Sequence, residues 1–84
     1  MADLPSERIT DILREEIAII TGQEKEDIDP DKSVAENGIN SLGFVELLLA
    51  VEKHFQVKLM ENSMSNADIS SVNALAAKIE KIIK

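Results

Sequence analysis

Eighty-four residues, 44% of them hydrophobic, allow one domain with a small core, and two Phe with no Tyr or Trp make that core aliphatic. Nine basic against sixteen acidic residues leave −7 at neutral pH, a balance that repels nucleic-acid phosphates and anionic lipid and favours partners with basic patches. Cysteine is absent, no apolar run approaches membrane-spanning length and the N-terminus lacks a signal core, so a cytoplasmic chain without disulfides, nucleic acid or membrane contact is expected.

In chain order, residues 1–5 read as a mobile leader and Ser6 as an N-cap, with Glu7 in the first turn. Ile9, Ile12, Leu13, Ile17 and Ile20 recur at helical spacing, predicting a scaffold helix from about Ser6 to Thr21 that stops at Gly22. Residues 22–40 form a long connection carrying Glu24, Glu26, Asp27, Asp29 and Asp31, punctuated by Pro30 and Gly38. Ile28, Val34 and Ile39 are placed to pin it onto the bundle. A calcium loop starting at Asp29 fails: Val34 takes the obligatory glycine position and Asn40 the bidentate glutamate position. No metal site is expected beyond weak divalent binding by clustered carboxylates.

The stretch from Gly38 to Phe55 organises the rest. Asn40 suits an N-cap, because its side-chain oxygen can accept from free first-turn amides. Ser41 then falls on the first turn, where unpaired N–H groups and the helix dipole favour an anion such as a phosphate ester. At about 100° per residue, Phe44, Leu47, Leu48, Val51 and Phe55 form a core stripe. Leu42, Val45 and Leu49 form a second stripe roughly 130° away, with Glu46 and Lys53 beyond it and Glu52 before it. So short a chain cannot bury both stripes, which makes the second a docking ridge beside Ser41.

After this helix ends near Gln56, Val57, Leu59 and Met60 continue the apolar surface and Asn62 to Asn66 make a polar connector. Ala67-Asp68-Ile69 reads as a short helical turn packing Ile69 inward. Ser71 can cap a last helix whose apolar residues are Val72, Leu75, Ala76, Ile79, Ile82 and Ile83, with Lys78, Lys81 and Lys84 toward its C-terminus.

Chemistry native to the chain is not expected. Nucleophilic use of Ser41 would need a base within hydrogen-bond reach, but His54, the one histidine, lies roughly 20 Å along the same helix. One His and no Cys are too few preferred ligands for structural zinc, and neighbouring carboxylates such as Glu15 and Glu16 do not face each other on a helix. No catalytic residue is assigned; the reactions belong to an attached group or to partners.

Asn40-Ser41-Leu42, with Gly38 ahead of it, Val45-Glu46-Leu47, Glu52 to Phe55 and the Phe55-x-Val57 ending, resembles the Asp-Ser-Leu motif and second helix of acyl carrier proteins, over nearly the whole chain. The resemblance implies an all-α fold: a small four-helix bundle of acyl-carrier type, with three main helices, one short one and a long first loop, in a single domain over 1–84. It implies that Ser41 carries 4'-phosphopantetheine, transferred from coenzyme A by a phosphopantetheinyl transferase, and that the arm's thiol holds acyl, polyketide or aminoacyl intermediates as thioesters. The protein would be a monomeric carrier and not an enzyme. Asn40, Leu42, Val45, Glu46 and Leu49 would dock the transferase, an acyl- or aminoacyl-loading enzyme, and synthases or transferases of fatty-acid, polyketide or other biosynthesis.

The chain departs from that pattern in charge. Asn40 stands where the family has Asp, Gly43 where housekeeping fatty-acid carriers are commonly acidic, and Lys53 and His54 interrupt the acidic face. Partners that find carriers by charge should bind more slowly, pointing to a dedicated carrier in a specialised pathway. The rival reading is an interaction module without a prosthetic group, in which Ser41 merely begins a helix.

Overall fold

A computed structural model of the chain describes residues 6–59 and 65–83. The expected leader at 1–5, the capping side chain of Ser6, Met60, residues 62–64 of the polar connector and Lys84 lie outside the described residues. Among those described, the chain forms α1 (Ser6–Thr21), a 3-10 turn at Lys25–Asp27, α2 (Ser41–Phe55) and α3 (Val72–Ile83), and no strand.

α1 packs against both other helices. It buries Ile9, Ile12, Leu13 and Ile17, with Ile20 half-buried at the edge of the core, as the spacing predicts. Gly22 ends it at φ +74, where the Gln23 N–H donates to the Ala18 carbonyl at 3.0 Å; a residue without Cβ adopts this left-handed turn at least cost. α2 buries Leu47, Leu48 and Val51, and Phe44 and Phe55 lean half-buried on the core. Gln56 closes α2 in the left-handed region at φ 57, its N–H and that of Val57 both donating to the Glu52 carbonyl. α3 contributes Val72, Leu75, Ala76 and Ile79, all fully buried, and is capped by Ser71, whose Oγ accepts from the Ala74 N–H at 2.9 Å. Ahead of it, the expected short helix is a run of turns rather than a helix. The Ser65 N–H donates to an Asp68 carboxylate oxygen at 2.9 Å and the Asp68 N–H to Ser65 Oγ at 3.3 Å, leaving Ile69 half-buried.

The long connection is tied down along its length. Ile28, Val34 and Ile39 are buried, as expected of pins. Arg14 on α1 donates to the carbonyls of Ile28 (3.1 Å) and Lys25 (3.0 Å), and the Lys25 ammonium reaches Asp11 at 2.6 Å. Ser33 and Glu36 cap each other's turn reciprocally. The turn meets α3 where the Val72 and Asn73 N–H groups, orphan donors of a helix start, donate to the carbonyls of Lys32 (2.9 Å) and Pro30 (3.0 Å). Asn73 also links three segments, its carboxamide donating to Asp31 and accepting from Thr10 of α1.

Candidate functional site

The connection delivers Ser41 to the start of α2. Asn37 holds that delivery. Its buried carboxamide donates to the carbonyls of Asp29 and Ser33 at 2.9 Å each and accepts from the Asp29 N–H at 2.8 Å, so the loop closes on one side chain. Gln23 donates to the Asn37 carbonyl at 2.8 Å, tying the same point to the end of α1. Gly38 follows at φ +104, the turn that brings Ile39 back into the core. The hydrophobic spacing does not mark Asn37; the signal available is an Asn directly before a Gly in a loop, a common turn dipeptide.

Asn40 caps α2 as predicted. It sits in extended backbone, and its Oδ1 accepts the Gly43 N–H at 2.7 Å. A neutral carboxamide performs the cap, and α2 carries no acidic side chain in its first turn. The positive end of the helix therefore meets no carboxylate of α2 beside the Ser41 hydroxyl. Ser41 is exposed and opens onto a cleft of about 500 Å³ lined by Val34, Ala35, Ile39, Asn40, Phe44 and Ile69. These residues fit a covalently held phosphodiester: a reachable hydroxyl, a helix N-terminus for its charge, and an apolar trough beside it. Glu36, on the turn bordering this cleft, is held ionised below the usual carboxylate range by the Ser33 backbone N–H and hydroxyl.

The other predicted site residues fall together on one outward face. Leu42 is 71% exposed, Leu49 51% and Val45 38%, and Asn40 and Glu46 are exposed with them. The two stripes read from the sequence are thus physically separate, one in the core and one in solvent. His54 is exposed at the far end of α2, its ring edge-on to Phe55. Among the described residues no cluster of His, Cys, Asp or Glu could hold a metal ion, and no helix is long and apolar enough to cross a membrane.

Gly43 is not simply a lost charge: it is buried, and a Cβ there would stand 3.2 Å from Asn40 Oδ1 and 3.4 Å from methyl groups of Ile20 and Ile39. The missing side chain lets the last turn of α1 and the first turn of α2 meet. An acidic residue at 43 would crowd the cap and that contact, so the change of charge that the fold accommodates at this end of α2 is the one at Asn40.

Among the described residues, an all-helical scaffold raises one exposed serine at a capped helix start. The chain belongs to the family described as "Phosphopantetheine attachment site", whose model matches residues 11–79 and whose cofactor is covalently attached 4'-phosphopantetheine. That membership sets aside an interaction module without a prosthetic group. The fold is similar to the NMR structure of the HMG-ACPI domain from the CurA module of Lyngbya majuscula, with a TM-score of 0.82, 18% identity, and coverage of 99% of this chain and 82% of that one. No curated protein sequence matches this chain.

Proposed function

We propose that Ser41 is the attachment point of the phosphopantetheine arm and that the protein serves a dedicated acyl or polyketide pathway, receiving its arm from a phosphopantetheinyl transferase and its cargo from a loading enzyme of its own. The observation that carries this reading is the exposed Ser41 hydroxyl at the Asn40-capped start of α2. The arm supplies a thiol on which carboxylic cargo is carried as a thioester. The chain's own part is to hold the phosphodiester at a helix N-terminus, to offer the neighbouring trough, and to dock enzymes on Leu42, Val45, Glu46 and Leu49. Apart from Asn40 and Ser41 the trough is lined by aliphatic and aromatic side chains, which favours an acyl chain over a charged aminoacyl group. Intact-mass measurement of protein from its native host tests the assignment. The parent should carry a phosphopantetheine adduct that is absent in Ser41→Ala; an unmodified parent, or an adduct that survives the substitution, would refute it.

A further inference from the structure

Ile19, at 74%, exceeds Leu42 in exposure, yet it lies on α1 and outside the ridge described so far. Its position is fixed by the contact at Gly43. Ile20 meets Gly43 where α1 ends and α2 begins, and Ile19 and Leu42 are the chain neighbours of that touching pair. Turning about 100° per residue, the surface outward from the seam on α2 runs Glu46, Leu42, Leu49, Val45, with Lys53 in line between Glu46 and Leu42 but about two turns further along the helix. On α1 the same turn runs outward from Ile20 through Glu16 to Ile19, on the flank away from Thr10, the residue that bonds to α3. The seam is therefore edged by two carboxylates, Glu16 and Glu46, with an apolar side chain beyond each. Neither glutamate enters an ion pair among the described residues, whereas Glu15 beyond Ile19 is joined to Lys25 at 3.4 Å.

Resting on the assignment of Ser41 above, we propose that the phosphopantetheinyl transferase docks across both helices, seating a cation in the Glu16–Glu46 seam and apolar side chains on Ile19 and Leu42. Reach selects this occupant. An enzyme that esterifies the Ser41 hydroxyl must cover the first turn of α2, whereas enzymes working at the far end of the arm can stand away from it. A standard interface covers about 800 Å² of each partner, enough to extend from Ser41 over that turn to Ile19. The charge of the seam complements a basic enzyme surface and the two flanking residues give it apolar grip.

The test is the steady-state transfer from coenzyme A to the full-length unmodified protein by a broad-specificity phosphopantetheinyl transferase. Ile19→Ser should raise the KM for the carrier roughly three- to tenfold, the loss expected of a flanking contact rather than a central anchor. Glu16→Lys should raise it at low salt, with the difference shrinking at high salt. Thermal melting verifies that both variants fold, and Ile19→Ala provides a second truncation. A KM unchanged by Ile19→Ser and Ile19→Ala, with Leu42→Ser still raising it, would overturn the two-helix footprint and leave the carrier reading standing. A parent that is never modified, or modification that persists in Ser41→Ala, would remove both.

Discussion

A single carboxamide, that of Asn37, decides where the segment before the serine runs. Both of its amide hydrogens and its oxygen are used inside the loop, and it is buried, so no water stands ready to replace them. Asn37→Ala would strand the Asp29 N–H, and leave the Asp29 and Ser33 carbonyls with only their backbone bonds from Lys32 and Asn37. The expected cost is about 1–3 kcal/mol, read as a lower urea midpoint with an unchanged slope. A loss within a few tenths would mean that the turn re-forms around solvent. The ion pair between Asp11 and Lys25 is the contrast: it is half-exposed, and pairs of that kind contribute little in water.

At the scale of elements, α1 and α2 are closed by different residues in the same left-handed region. α1 uses Gly22 and α2 uses Gln56, which occupies the left-handed region without glycine's freedom. A residue bearing a Cβ is disfavoured there by roughly 1–2 kcal/mol, and glycine returns part of that as extra entropy in the unfolded chain. Gln56→Gly is therefore expected to stabilise the protein by up to about 1 kcal/mol; a lower melting temperature would show that the Gln56 side chain contributes more than its backbone costs. The three helices, the Asn40 and Ser71 caps and the Gly22 stop are legible from spacing and capping residues, because those signals are local. The ordering of the long connection is less legible. Its hydrogen bonds join residues distant in sequence, as Asn73 does with Asp31 and Thr10, and periodicity says nothing about such partners. Ser33-Val34-Ala35-Glu36 is a readable capping box inside what otherwise looks like an acidic loop. The crowding at Gly43 is the least legible, since a glycine in a helix reads as a propensity cost until its neighbours are known.

For the molecule as a whole, stability is tied to a few held carboxylates set against a charge of −7. Hydrogen bonding from Lys25 lowers Asp11, the Ser33 backbone lowers Glu36, and the Ser65 backbone lowers Asp68. A carboxyl whose folded pKa lies below its unfolded one stabilises the fold at pH above the unfolded value, and loses that contribution as pH falls through the folded one. These contributions should therefore fade below about pH 4. Lys25 moves the other way, raised chiefly by its hydrogen bond to Asp11, so its contribution is complete at neutral pH and is lost only above about pH 10. Urea midpoints measured across the acid range should fall less steeply in Asp68→Asn than in the parent; parallel curves would show that Asp68 is not held.

The bare position at 43 also limits what an engineer could do with this carrier. Transplanting it into an assembly line whose enzymes recognise acid-studded carriers invites a new carboxylate at the front of the recognition helix. Here the first carbon of such a graft would stand 3.2 Å from the oxygen of the Asn40 cap, so the helix start itself would have to give way. Retargeting would have to be written onto the outer edge of that helix, around Val45 and Leu49, whose side chains face outward.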